Sequence, residues 1–192
     1  MELILASKSP RRQELLKLLG LPFRVVTADV DETMDPLLPA GQEVARVSRK
    51  KAAAVAGRAG EEAVIIAADT VVVIGGDVLG KPHSEQEAAG MLRRLSGREH
   101  EVLTALSVQK GSRVQSELVS TRVRFRALCE GEIAAYIRTG EPMDKAGSYG
   151  IQGYGAVFVE GLMGDYFSVM GLPLCPLCRM LRACGVTVLG EA

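Results

Sequence analysis

Tryptophan is absent from this 192-residue chain, and phenylalanine and tyrosine contribute only four residues each. Its core must therefore be packed from aliphatic side chains. Net charge is missing too, because 23 basic and 23 acidic residues cancel. That removes the electrostatic signature of a non-specific nucleic-acid or membrane binder, although local basic clusters can still serve an anionic small molecule. No run of about 18 uninterrupted apolar residues exists, so no membrane span is expected. The start, Met1-Glu2-Leu3-Ile4-Leu5-Ala6-Ser7, lacks the basic opening of a signal peptide. Four cysteines (Cys129, Cys175, Cys178, Cys184) do not suggest a secreted disulfide scaffold, so the cytoplasm is the expected location. What the chain does have is 47% hydrophobic residues, enough for one α/β domain or two small lobes sharing a cleft.

Along the chain, Leu3 to Ala6 reads as a strand that leads at once into a helix, with Ser9 as cap, Pro10 at the first position and Gly20 at the close. Phe23 to Thr27 reads as a second strand, Asp29 to Pro39 as a loop, and Gln42 to Ala59 as a helix. The apolar run around Asp69 turns at Gly75-Gly76-Asp77 and returns through Val78-Leu79. Ser84-Glu85-Gln86-Glu87 is a capping box for a helix reaching about Leu95. Val102 to Lys110 and Val114 to Leu128 form a predicted hairpin about Gly111-Ser112. A helix over Glu130 to Thr139 precedes a glycine-rich loop, short strands near Ala156 to Glu160 and Tyr166 to Met170, and a last helix from about Pro173. Long strands between helical units predict an α/β fold with a mixed sheet flanked by helices.

Asp69 is the most informative residue. It lies in Ala63-Val64-Ile65-Ile66-Ala67-Ala68-Asp69-Thr70-Val71-Val72-Val73-Ile74, a run that reads as a buried strand. Aspartate is poorly suited to a strand interior, and a lone carboxylate out of water costs several kcal/mol unless a cation or metal compensates. A strand-end aspartate bonding its own backbone is the plain alternative, but the β-branched residues after Asp69 argue against an end there. Asp69 is therefore expected to be a metal ligand or general base.

The first strand–helix junction, Ser7-Lys8-Ser9-Pro10-Arg11-Arg12, places two arginines at the positive end of a helix dipole. A bound anion would reverse that cost by meeting backbone N–H groups, the Ser7 and Ser9 hydroxyls and the guanidinium groups. Two solvated surface arginines are the plain alternative. Gly75 to Pro82 nearly spells a phosphate-binding loop but puts Pro82 where a magnesium-holding Ser or Thr belongs, so a true one is not expected. Lys81 and Lys51 can still reach a phosphate, though each taken singly is more often a solvated face residue. In Asp144-Lys145-Ala146-Gly147-Ser148-Tyr149-Gly150-Ile151-Gln152-Gly153-Tyr154-Gly155, four glycines in nine positions allow close backbone approach to a ligand. The Gln152 amide offers a donor and an acceptor that complement O4 and N3–H of uracil or thymine. Cys175-Pro176-Leu177-Cys178 has redox-motif spacing, but neither His83 nor His100 stands at metal-site spacing to it, so buried helix-face cysteines are expected.

Taken together the motifs resemble the Maf (septum-formation) family of nucleoside triphosphate pyrophosphatases. The likeness runs nearly end to end: Ser7 to Arg12, Asp31-Glu32, Arg49-Lys50-Lys51-Ala52, Ala68-Asp69-Thr70, Gly80-Lys81-Pro82, Ser96-Gly97 with His100 and Thr104, and Asp144 to Gly153. Arg11, Thr70 and Gln152 match the subgroup acting on dTTP and UTP. The resemblance implies one domain over residues 1–192, an elongated Maf/ITPase-like α/β fold whose two lobes flank a central cleft. It also implies water attack at the α-phosphorus. Asp69 would be the base, and Glu32 and Asp69 would hold a divalent metal (magnesium, with manganese or cobalt as substitutes). Ser7, Ser9, Arg12, Lys51, Lys81 and Lys145 would bind phosphate. The implied partners are pyrimidine nucleoside triphosphates, normal or modified, and a second copy in a homodimer; no stable nucleic-acid or membrane partner is implied. A nucleotide-binding regulator of cell division with little turnover is the alternative. Ser148, where Ala is common in the family, and the cysteine-rich last helix are the departures.

Overall fold

The computed structural model describes residues 1–190 and follows a mixed α/β order. Its elements are β1 (Leu3–Leu5), α1 (Pro10–Lys17), β2 (Arg24–Val25), α2 (Ala40–Ala56), β3 (Val64–Ile74), β4 (Asp77–Leu79), α3 (Glu85–Leu95), β5 (Glu99–Lys110), β6 (Arg113–Phe125), α4 (Glu130–Arg138), β7 (Val159–Met163), α5 (Tyr166–Met170) and α6 (Leu174–Ala183). The strands join one seven-stranded sheet in the order β2-β1-β3-β5-β6-β7, with β4 paired to β3. Parallel pairing of β1 with β2 and β3, and antiparallel pairing of β3 with β4 and β6 with β7, make the sheet mixed, as the sequence predicts. Among the described residues no helix is long and apolar enough to cross a membrane.

Two compact units divide the chain. One takes Met1–Asp69, Thr104–Val119 and the described residues from Gly171 on; the other takes Thr70–Leu103 and Ser120–Met170. In the first unit, Ile4 and Ala6 pack with Ala52, Val55, Ile65 and Ala67, so small and branched aliphatic side chains seat α2 on β1 and β3. In the second, Val72, Leu92, Leu95, Val123, Ile133 and Tyr136 close around Phe125, Tyr149 and Phe158. Half of the eight aromatic residues of the chain lie in this cluster, each ring meeting another at 4.7–5.9 Å between centroids.

Sequence signals for helix starts fare well, with one twist. The Ser84 hydroxyl accepts from Glu87 N at 3.1 Å, but the Glu87 carboxylate returns to His83 N rather than to the cap residue. The predicted strand at Tyr166 to Met170 is instead α5. Its aromatic and branched residues read as strand, but the Asp165 carboxylate accepts from the Phe167 and Ser168 amides at 2.8 and 3.2 Å and so caps a helical turn. The strand expected near Ala156 to Glu160 begins later: Tyr154–Phe158 is a 3₁₀ turn, and β7 pairs Leu162 with Val123. The predicted strand at Phe23 to Thr27 shrinks to the two residues of β2.

Candidate active site

Asp69 sits within β3, 7% exposed, and the cation that offsets its burial is Lys51. The Lys51 ammonium donates to Asp69 Oδ1 at 2.7 Å and lies 3.0 Å from Glu32 Oε1, bridging the two carboxylates. Lys51 reaches them because it faces inward from α2, in step with buried Val44, Val47, Ser48 and Val55. Glu32 is half exposed and comes from the loop before α2. The lysine expected to bind phosphate is thus also the counter-ion of the expected metal ligands.

α2 fixes that loop by a second device. Glu43, buried in its first turn, accepts from Asp35 N at 2.7 Å and pairs with Arg46 at 2.7 Å. Arg46 in turn donates to the Thr33 carbonyl at 2.8 Å. Thr33 and Asp35 are therefore both tied to the helix that carries Lys51. The paired guanidinium and the amide hold the Glu43 carboxyl down at about 2. Sequence reading misses this clamp, since Glu43 and Arg46 look like an ordinary helix-surface pair three residues apart.

At the head of β1 the register pairs Leu5 with Ile66, and Ala6 N donates to the Ile66 carbonyl at 2.7 Å. Continuing that alignment brings Ser7 level with Ala68, beside Asp69. The Ser7 hydroxyl accepts from Ser9 N at 3.1 Å, and the Ser9 hydroxyl caps α1 by accepting from Arg12 N. Both hydroxyls accept from the backbone and each keeps an O–H to donate. Arg12 donates from Nε to the Gly171 carbonyl at 2.7 Å. Burial lowers its pKa, Asp69 raises it, and neighbouring Arg11 lowers it again. Ser7, Ser9, Arg12, Glu32, Lys51 and Asp69 are thus brought together; Arg11 stands beside them, half-buried in the first turn of α1.

The remaining expected residues belong to the second unit. Thr70 follows Asp69 in β3. Lys81 is exposed, with no ion-pair partner among the described residues, on a segment whose Gly80 carbonyl accepts from Gly147 N at 3.0 Å. No helix opens at Lys81, and α3 begins only at Glu85, so the near phosphate-loop pattern does not build such a loop. Gly147 has φ +68°, and a Cβ there would stand 2.8 Å from the Val72 side chain. Lys145 is engaged inside its own loop, donating to the Glu141 carbonyl at 2.6 Å and to Asp144 at 2.7 Å. Gln152 is exposed at the loop tip, and its amide has no protein hydrogen-bond partner among the described residues. Three residues earlier Tyr149 is buried, hydrogen-bonded to His100 Nε2 at 2.8 Å. The expectation of buried cysteines in the last helix is corrected: Cys175 is exposed and Cys178 half-buried, because they occupy the rim of α6 while Leu177 and Leu181 take its inner face.

A strand-borne carboxylate, buried and paired to a helix-borne ammonium beside a serine-capped helix start, defines a mixed α/β protein with a charge-balanced site. The model of the Maf-like protein family matches residues 2–184, and the chain belongs to that family. It is 50% identical to a protein of Pelotomaculum thermopropionicum over 98% of this chain and 99% of that one. A Bacillus velezensis protein is 48% identical, covering 94% and 95%, and one from Aquifex aeolicus 44%, covering 95% of each. All three bear the name dTTP/UTP pyrophosphatase. The solved structure of the Staphylococcus aureus Ham1 protein aligns at a TM-score of 0.45 and 14% identity, over 65% of this chain and 72% of that one, too slight a likeness to bear on function.

Proposed function

We propose that the chain is a nucleoside triphosphate pyrophosphatase, hydrolysing dTTP and UTP to the nucleoside monophosphate and pyrophosphate. The observation that carries this reading is the buried Asp69 held by Lys51 beside Glu32, in a chain about half identical to relatives named for that activity. In the reaction a water oxygen bonds to the α-phosphorus, and the bond from that phosphorus to the α–β bridging oxygen breaks. The electron pair leaves with pyrophosphate. Lys51 fixes Asp69 Oδ1, which leaves Oδ2 to orient the water and take its proton. Ser7, Ser9 and the N–H groups at the start of α1, with Arg12 and Lys81, offer donors to the phosphates. Lys145 lends its charge while already bound to Asp144.

Two hard carboxylate donors suit a divalent cation such as magnesium, manganese or cobalt, with phosphate oxygens and water completing the shell. No cluster of three or more His, Cys, Asp or Glu that could hold a metal ion exists among the described residues. Glu32 and Asp69 would hold the ion, which when bound supplies charge stabilisation and a more acidic water. Arg11, Thr70 and Gln152 are the proposed specificity residues, with Gln152 reading O4 and N3–H of the base. The same family reading extends to a cytoplasmic location and a homodimer, which fractionation and sedimentation decide.

Pyrophosphate release from dTTP, UTP, CTP, ATP and GTP, with magnesium and with chelator, tests the proposal. Higher kcat/KM for dTTP and UTP, lost on chelation, is the expected result. A purine or CTP preference, or no turnover of any triphosphate, overturns it.

A further inference from the structure

We propose that Glu141 is a positioning residue for base selection, fixing the loop tip that carries Gln152; this rests on the base-reading role given to Gln152 above. Three donors converge on its carboxylate. Tyr136 donates its O–H to Oε1 at 2.8 Å, Gly155 N donates to Oε1 at 3.2 Å, and Tyr154 N donates to Oε2 at 2.8 Å. The Tyr136 oxygen also accepts from Gly150 N at 3.0 Å. One carboxylate thus holds both ends of Gly150-Ile151-Gln152-Gly153-Tyr154-Gly155, through Tyr136 at the start and directly at the close.

The glycines are shaped to this anchor. A Cβ on Gly153 would lie 2.1 Å from Glu141 Oε2, and one on Gly155 would lie 2.8 Å from the Tyr136 oxygen. Burial raises the Tyr136 pKa, so the phenol keeps its proton and remains a donor. The Lys145 ammonium, at 2.6 Å from the Glu141 carbonyl, restrains the same residue through its backbone. The anchor matters because the backbone sets where the Gln152 side chain starts and how far it reaches, and a loop tip free to shift would let its amide meet cytosine as well as uracil. An exposed Gln152 with no hydrogen-bond partner among the described residues depends on the backbone of its loop for its placement.

The test compares kcat/KM for UTP and CTP in wild type, Glu141→Gln, Gln152→Ala and the double variant, with thermal unfolding of each. Glutamine at 141 keeps the volume but sets an NH2 group against donors on one side or the other. Glu141→Gln should lower the UTP:CTP ratio by about tenfold or more, mainly through kcat/KM for UTP. In the Gln152→Ala background the same change should leave the ratio unaltered, since the effect runs through Gln152. Equal losses on both nucleotides, or additive effects on the ratio, overturn the proposal. Should Gln152→Ala itself leave the ratio at its wild-type value, the base-reading role fails instead, and the two failures stay distinct. Where Glu141→Gln does not fold, Tyr136→Phe takes its place. It removes one link of the anchor and should lower the ratio without abolishing turnover; an unchanged ratio counts against the anchor.

Discussion

Replacing Lys51 and Asp69 singly and together separates what their contact does for the fold from what it does for the reaction. At 2.7 Å and an effective dielectric of about 20, their attraction is about 6 kcal/mol, set against a desolvation cost of several kcal/mol for each ion. Side-chain exposures of 8% and 10% leave little water to take over if one partner goes. Lys51→Met strands the Asp69 charge and should cost about 3–5 kcal/mol. Asp69→Asn should fall at the lower end of that range, because the ammonium keeps Glu32 at 3.0 Å, a half-exposed partner worth at most about 1 kcal/mol. With both charges gone, Lys51→Met/Asp69→Asn should return to within about 1–2 kcal/mol of wild type. Urea unfolding followed by far-ultraviolet circular dichroism measures this, a probe suited to a chain without tryptophan. Pyrophosphate release from UTP should stay about 10²–10⁴-fold down in both Asp69 variants, stable or not. Stability losses that simply add in the double variant would refute the pairing argument. Activity that recovers with stability would refute the role of Asp69 as base.

Arg12→Ala and Lys81→Ala should each raise KM and lower kcat in steady-state kinetics. Only Arg12→Ala should also lower the melting temperature, because it abandons the Gly171 carbonyl, whereas Lys81 is exposed. His100 is buried and its pKa falls from 6.5 to about 4 because burial disfavours the imidazolium. The unfolded chain therefore binds a proton that the fold refuses, so stability should decline as pH drops from 6.5 toward 4. His100→Gln should flatten the pH dependence of urea midpoints in that window. Gly147→Ala should cost about 1–3 kcal/mol from positive φ alone, plus the clash with Val72, read as a lowered melting temperature.

The strand with Asp69 was legible as a run of β-branched residues, and its carboxylate stood out because such conflicts with the surroundings concentrate at functional or strained sites. The α1 start, the Gly75-Gly76 turn and the Gln152 loop were legible for similar local reasons. What escaped were contacts set by tertiary placement. Nothing near Lys51 in sequence says that it turns inward onto Asp69, 18 residues away. Glu43 and Glu141 are ordinary acidic residues until the fold points backbone amides at them. The helix at Tyr166 was lost because one capping carboxylate at Asp165 outweighs the strand preference of the residues after it.

The strands at the two ends of the sheet order, β2 and β7, have a consequence for how the chain behaves at high concentration. β2 is two residues long, and its Arg24 is engaged by Glu2 at 2.7 Å. β7 is five residues long and carries Glu160, paired to Arg124 at 3.3 Å, with Gly161 at its centre. Short, charged strands are poor templates for strand addition, so neither β2 nor β7 invites a copy of this chain to extend the sheet from it. That protection is local and permanent, and a chain whose net charge is zero cannot draw it from long-range repulsion.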